Sequence, residues 1–413
     1  MSTKALILVG GGTRGTRFRP ISLDTPKVLF PVAGKPMLSH AIDAVATLPS
    51  VKEIILFGFY EEYVFRDFIH DTVRQYPHLS IKYLREYKAM GTAGGLYHFR
   101  DEILKGSPQH FYVIHADVCS SFPLKELATF FEEKKAKAVI LGTRVPAKIA
   151  NNFGAIVADE DQKVVHYVEK PESHISTLIN AGVYLFDKSF FQVMKEARQK
   201  KVQDANDHVY FSEDQNDQDI LRLEQDVLVK FAEREELYVY ETKDFWRQVK
   251  EAGSAVAVNS LYLQQLFQSN PKAPGLAAPS ANIVPPVFID PLAEVDVSAK
   301  LGPDVSIGPH AKIGKGARIK DSIILEHAQV KDNGVVLHSI LCSGTKVGQW
   351  SRVEGSPNNH NTYTATTEKD GVRMQTVSIL ATNVSVADEV HVQNTIVLPH
   401  KEIKNDVKNE VIM

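Results

Sequence analysis

From Ile289 onward the chain repeats itself every six residues. Ile289, Val295, Leu301, Ile307, Ile313, Ile319 and Leu325 are apolar at that spacing. Ala293, Ala299, Val305, Ala311, Ala317 and Ile323 form a second, mostly small series with the same period. Gly302, Gly308 and Gly314 each follow a member of the first series. A helix repeats every ~3.6 residues and a strand every two, so neither makes this pattern. Hexapeptides stacked in a left-handed parallel β-helix do, because six residues form one flat side and three sides one coil. The large series is expected to point inward and the small series to fit the tight corners. The pattern fades after Leu325 and returns at Val377–Leu398. Between them the polar stretch 355–375 is off-register and reads as a loop protruding from a coil.

The texture before the repeat is different. Short apolar runs at Ala5–Val9, Glu53–Phe57, Ser80–Leu84, Phe111–His115, Ala138–Thr143, Gly154–Ala158, Val164–Val168 and Gly182–Phe186 alternate with helix-length segments such as Pro36–Ala46, Glu61–Tyr76 and Leu124–Lys135. That alternation predicts a Rossmann-like, open and mainly parallel but mixed α/β sheet, with ligands at the carboxyl ends of its strands. The polar segment 196–218 reads as a surface excursion. Five of the chain's 20 prolines fall within 268–288, which marks a junction. The expected division is therefore a nucleotide-handling domain over 1–265, a linker over 266–286 and the β-helix over 287–413.

A chain of 413 residues is too long for one compact core. A formal charge of −3 gives no reason to expect nucleic acid or an anionic membrane as partner. No apolar stretch is long enough to span a bilayer, and Lys4 followed by a strand-length run is not a signal peptide. Two cysteines, Cys119 and Cys342, make no disulfide framework, so a reducing cytoplasm is the expected compartment. The histidines lack metal-ligand spacing, and His115, nearest the expected site, receives no role.

The chemistry concentrates where Ala5–Val9 runs into GGGTRGTRFRP at 10–20, followed by Pro26-Lys27. The glycines let backbone approach a bulky anion, and Arg14, Arg17, Arg19 and Lys27 supply charge that persists at neutral pH. Strand, glycine loop and forked donors together describe a triphosphate cradle. Gly10 to Gly15 formally matches G-x-G-x-x-G, but the acidic residue wanted about 20 positions on is replaced by Lys35. A Walker A loop is excluded because Arg17 stands where Lys belongs.

These residues resemble the nucleotide-sugar pyrophosphorylases. The resemblance rests on LVGGGTRGTRFRP, then TPK, then FPVAGKPM, and later on MGTAGGL at 90–96, HADV at 115–118, NFG at 152–154, VEKP at 168–171 and NAGVYLF at 180–186. It covers the whole chain, and the β-helical tail belongs to it. Within the family the chain looks most like the GDP-mannose pyrophosphorylase branch, alpha-subunit type. Residues Gly58-Phe59-Tyr60 and Leu96 to Arg100, and a glycine loop two residues longer than the catalytic form, carry that finer likeness.

The resemblance implies transfer of a nucleoside monophosphate from GTP to mannose 1-phosphate, giving GDP-mannose and pyrophosphate. Two anions must meet, so catalysis of this kind is mostly positioning and charge neutralisation. It implies that Gly10, Gly11, Gly15 and Thr16 hold the nucleotide, with Arg17 and Lys27 on its phosphates. It implies that Gly91, Thr92, Ala93 and Gly94 read the base. Asp117, at the end of an apolar run, would hold Mg2+. Gly154, Glu169, Lys170, Asn180 and Gly182 would hold the sugar phosphate.

One segment departs from the family. Catalytic members carry a second metal-binding aspartate in W-x-D-x-G, and the matching residues are Trp246-Arg247-Gln248-Val249-Lys250. Gln248 replaces the aspartate and Lys250 the glycine. An amide brings no negative charge to a metal, and a neighbouring ammonium repels one. The implied role is a regulatory subunit that binds GDP-mannose and restrains a catalytic beta-type partner, in homo- and hetero-oligomers. The alternative is an active guanylyltransferase. An acyltransferase function of the repeat is set aside, because its loops offer no catalytic histidine.

Overall fold

The computed structural model describes residues 2–10, 16–207, 220–357, 366–369 and 372–413. Gly11, Gly15, Arg14, residues 208–218 of the polar excursion and 358–365 of the insertion lie outside the described residues. The chain divides into two compact units. One comprises Met1–Arg14 and His40–Trp246, the other Gly15–Ser39 and Arg247–Met413.

The first unit is built on a nine-stranded mixed sheet. Its strands are β1 (Thr3–Gly10), β2 (Val51–Gly58), β3 (Ser80–Arg85), β4 (His110–His115), β5 (Ala138–Arg144), β6 (Gly154–Ala158), β7 (Val164–Glu169), β8 (Leu178–Asp187) and β9 (Leu237–Glu241). They run in the order β7-β6-β8-β4-β1-β2-β3, with β5 also paired to β8 and β9 to β5. Strands β4, β1, β2 and β3 are mutually parallel, so Gly10, Gly58, Arg85 and His115 all lie at one edge. Strand β8 is antiparallel to β4, with Val183 opposite Ile114. Its early residues Asn180 and Gly182 therefore reach the same edge. All eight strands expected from the apolar runs are present, each within a few residues of the expected bounds.

Fully buried Leu6, Phe57, Phe111, Val113, Tyr184 and Phe186 make the heart of this core. Phe186 and Phe190 stack with ring centroids 4.1 Å apart. Tyr112 is also buried, and its hydroxyl donates to Leu124 O at 2.9 Å, so the polar tip is satisfied. Residues 196–207, the first part of the expected surface excursion, form the second half of helix Ser189–Asp207. Buried Val193, Met194 and Ala197 pack this helix against the core. Exposed Gln192, Lys195, Gln199 and Lys200 are the solvated face of an amphipathic helix.

The second unit holds three parallel sheets of seven, six and six strands. They close the left-handed β-helix that the hexapeptide period predicts. The repeat does not fade after Leu325. Strands continue at Gln329–Val330, Val335–Leu337, Ser339–Leu341, Lys346–Val347 and Arg352–Glu354, up to the insertion. The period shortens instead: Ile307 pairs with Ile324, and Ile323 with Ile340. Each of these coils spends 17 residues rather than 18, because the same corner loses a residue each time, at Asp321 (φ 46°) in the first and at His338 (φ 46°) in the second. A strict six-residue ruler slips out of register there, which is why Leu325 is off the inward position that Ile324 occupies. Within the insertion, Thr366–Lys369 and Val372–Gln375 pair as an antiparallel hairpin.

Segment 15–39 and helix Ser254–Ser269 belong to this unit, and one residue ties them to the β-helix. Fully buried Asn259 accepts from Ala33 N at 2.8 Å and from Ser306 Oγ at 2.6 Å. A buried donor left without a partner costs about 1–3 kcal/mol. Asn259→Leu strands two of them, so an unfolding free energy lower by about 2–5 kcal/mol is expected in urea titration.

Candidate functional site

A polar network lines the carboxyl edge of the first unit's sheet, and its centre is Asn180. The Asn180 side-chain nitrogen donates to Tyr167 Oη at 3.0 Å and to Tyr184 Oη at 2.9 Å. Its oxygen accepts from Gly182 N at 2.8 Å, which fixes the turn at the start of β8. Tyr167 Oη donates to Glu169 Oε2 at 2.9 Å, and Lys170 Nζ sits 2.9 Å from Glu169 Oε1. Burial, then the Glu169 charge, pushes the Tyr167 phenol well above its usual range, so it stays a donor. Gly154 closes the group. A Cβ there would stand 2.2 Å from Tyr167 Oη and 2.8 Å from Glu169 Oε2. The five residues expected around the sugar are thus in one place: Gly154, Glu169, Asn180 and Gly182 form a rigid wall. Lys170, 62% exposed at its side chain, is tied to the wall through Glu169.

Beside this wall the structure adds a pair that sequence reasoning did not assign. His115 ends β4, and its Nε2 lies 3.2 Å from Glu224 Oε1. The other Glu224 oxygen accepts from Thr92 Oγ1 at 2.9 Å, and Thr92 Oγ1 in turn accepts from Leu223 N at 2.8 Å. Burial pushes the Glu224 carboxyl up, but His115 and Thr92 pull harder and the net is lowered. Burial pushes the His115 ring down, but Glu224, then Asp117 and Glu169, more than offset it and the net is raised. The imidazole stands near three carboxylates, those of Glu224, Asp117 and Glu169. Glu224 follows the polar segment, and nothing in its local sequence marks it.

The segment expected to read the base is the first turn of helix Gly91–His98. The amides of Ala93 and Gly94 both donate to Leu221 O, at 2.9 and 3.1 Å. Those two donors are therefore taken. Behind the turn, Gly95 leaves room for Glu86, whose Oε1 would stand 1.6 Å from a Cβ there. Glu86 is only 9% exposed, and burial raises its carboxyl to about 7. A raised acid pKa means the folded state binds more protons between pH ~4.5 and ~7, so stability falls as pH rises through that window. Glu86→Gln removes this effect. It is expected to stabilise the protein by up to about 3 kcal/mol at pH 8 and to leave it unchanged at pH 4.5, read as denaturation midpoints.

Asp117 is half-buried between β4 and the short strand Val118–Ser120. Among the described residues no three His, Cys, Asp or Glu side chains converge as a metal cage. A single strand-end carboxylate fits a hard cation held mainly by substrate phosphates and water, which is how magnesium is often bound. Asp244 accepts from Ser121 Oγ at 2.6 Å in an exposed bond.

The remaining expected residues are placed as follows. Gly10 ends β1, and a Cβ on it would meet the Tyr60 ring at 3.3 Å. In the second unit Thr16 and Arg17 are exposed on the turn Thr16–Phe18, and Lys27 is half-buried on the turn Lys27–Leu29. Phe18 and Phe30, both fully buried and packed edge-to-face at 5.5 Å, anchor these turns and leave the cations outward. Gln248 ends the strand Trp246–Gln248 and is half-buried. Cys119 and Cys342 are buried free thiols, and burial pushes Cys342 up to about 12. Among the described residues no helix is long and apolar enough to cross a membrane.

An edge of parallel strands that carries a carboxylate and a polar wall is where sheets of this kind bind their ligands. Residues 4–264 match the family model described as nucleotidyl transferase, and 283–413 match that described as the GMPPB C-terminal domain. The chain belongs to the nucleotidyl transferase family. It is 46% identical to a Schizosaccharomyces pombe protein named "Probable mannose-1-phosphate guanyltransferase", with 100% of each chain covered. It is 45% identical to the Danio rerio mannose-1-phosphate guanylyltransferase regulatory subunit alpha-A, over 99% of this chain and 100% of that one. A solved Bacillus anthracis protein in complex with sucrose is similar in fold, with TM-score 0.50 and 24% identity over 63% of this chain and 95% of that one.

Proposed function

We propose that this chain is the regulatory, alpha-type member of a mannose-1-phosphate guanylyltransferase, binding GDP-mannose and restraining a catalytic beta-type partner. The observation that carries the reading is Gln248. An amide stands where a second metal-binding carboxylate is expected, while the polar wall around Asn180 is complete. A site of that composition holds a nucleotide sugar and turns it over poorly.

In this reading Glu169 and Asn180 address the sugar hydroxyls and Lys170 its phosphate. Arg17 and Lys27 take the diphosphate, helped by the backbone of Gly10, Gly11, Gly15 and Thr16. Gly91 and Thr92 face the base, since the next two amides are engaged. Nucleotidyl transferases generally use a divalent metal, and Mg2+ on Asp117 would neutralise phosphate charge when bound. The free buried thiols agree with a cytosolic location, and the flat coils of the β-helix offer surfaces for homo- and hetero-oligomers.

A second reading keeps the chain as an active guanylyltransferase in GDP-mannose synthesis, and Asp117 at its strand end favours it. The names of the relatives, which include regulatory alpha subunits, support the first. The test mixes the chain with a catalytic beta-type subunit and follows pyrophosphate release as GDP-mannose is added. Regulation predicts little release by this chain alone and a partner rate that falls with GDP-mannose only when the chain is present. Partner rates indifferent to the chain refute it.

A further inference from the structure

One carboxylate joins the turn assigned to the base to the polar wall assigned to the sugar. Glu224 lies in Leu223–Leu228, a single π-helical turn. Such turns are rare and recur at functional positions. The two oxygens of Glu224 serve different elements. Oε2 accepts from Thr92 Oγ1 at 2.9 Å, in the first turn of helix Gly91–His98. Oε1 lies 3.2 Å from Nε2 of His115, the last residue of β4.

The Thr92 end of this linkage is fastened by backbone. Leu221 N donates to Met90 O at 2.8 Å, Leu221 O accepts from the amides of Ala93 and Gly94, and Leu223 N donates to Thr92 Oγ1 at 2.8 Å. Lys201, on helix Ser189–Asp207, holds the same strap: its Nζ donates to Ile220 O at 2.9 Å and lies 2.7 Å from Asp226 Oδ2. The His115 end abuts the polar wall. A Cβ on Gly182 would stand 3.5 Å from His115 Cβ, and the His115 ring centroid is 5.8 Å from that of Tyr184, whose hydroxyl accepts from Asn180. His115 Nε2 is buried and makes no aligned hydrogen bond among the described residues, so the ring is held by the Glu224 charge more than by a directed bond. A ring held that way follows the carboxylate when it moves. Burying two charged groups is a costly route to stability, and an apolar pair of the same volume often does as well or better. What the arrangement supplies is a fixed geometry between two elements.

We propose that Glu224 is a positioning residue that carries geometry from one half of the site to the other: it ties Thr92, on the base side, and His115, against the wall on the sugar side, to a single carboxylate. The inference rests on the proposed reading of those two halves. It makes a base-side change felt by a ligand that occupies only the sugar side.

The test titrates the full chain, in magnesium, separately with GMP and with mannose 1-phosphate, at a temperature where circular dichroism shows every variant folded. Thr92→Val keeps the side-chain shape and removes the hydroxyl. It should weaken mannose 1-phosphate about three- to tenfold, because small displacements are expensive where positioning is the main contribution. Thr92→Ser, which keeps the hydroxyl, should recover most of that loss. Glu224→Gln releases His115 and should weaken mannose 1-phosphate at least as much. Adding Thr92→Val to it should cost mannose 1-phosphate no further affinity, the mark of one shared linkage. A Thr92→Val variant weakened toward GMP alone, a serine variant as weak as the valine one, or independent losses in the double variant would each overturn the assignment while leaving the GDP-mannose reading intact. Failure of the parent chain to bind GMP or mannose 1-phosphate would refute that reading and this assignment with it.

Discussion

Gln248→Asp combined with Lys250→Gly raises pyrophosphate release from GTP and mannose 1-phosphate by about 10²–10³ over the unmodified chain. The expectation rests on one charge. The polar wall around Asn180, Asp117, Arg17 and Lys27 are all present, so in the proposed reading the second carboxylate is what is missing, and the Lys250 ammonium stands near its position in sequence. A preorganised charge partner contributes about 3–4 kcal/mol at such a centre. The assay is single-chain, with purified protein, magnesium and both substrates. A rate unchanged by the double substitution places the deficit elsewhere.

Gly154→Ala weakens GDP-mannose binding by about 100-fold. The added methyl would sit 2.2 Å from Tyr167 Oη and 2.8 Å from Glu169 Oε2, closer than real Cβ contacts permit. Tyr167 is buried and tied to Asn180, so it has no free direction in which to retreat. The bond from Tyr167 to Glu169 must break, and the carboxylate that would meet the sugar hydroxyls moves by the order of an ångström. Displacements of that size cost about 10²-fold where positioning is the main contribution. Calorimetry reads the effect, with circular dichroism to confirm that the sheet is intact. An affinity within a few-fold of the parent would show that the wall does not meet the ligand.

What the sequence disclosed follows physical range. The β-helix announces itself because its contacts repeat along the chain: Ile307, Ile313 and Ile319 mark successive sides. The shortened corner at Asp321 is hidden, since one dropped residue shifts every later position against a fixed ruler. The grouping of Glu169, Lys170, Asn180 and Gly182 was legible because they lie on adjacent stretches with recognisable neighbours. The His115–Glu224–Thr92 chain was not. Thr92 and Glu224 are 132 positions apart, and only the folded sheet edge brings them together. Glu86 was missed for another reason: its burial depends on an atom that Gly95 lacks, and absence of a Cβ leaves no pattern in sequence. The turn expected to read the base shows the converse limit. Its glycines were conspicuous, yet the amides of Ala93 and Gly94 are spent on Leu221 O.

Titration of the full-length chain with GDP-mannose, beside UDP-glucose and ADP-glucose in magnesium, is the most direct measurement. Saturable heat for GDP-mannose, at least tenfold weaker responses to the other two, and loss of the signal in Lys27→Ala and Glu169→Gln are the predicted result. A flat thermogram for GDP-mannose, or equal binding after both substitutions, would contradict the account at its root.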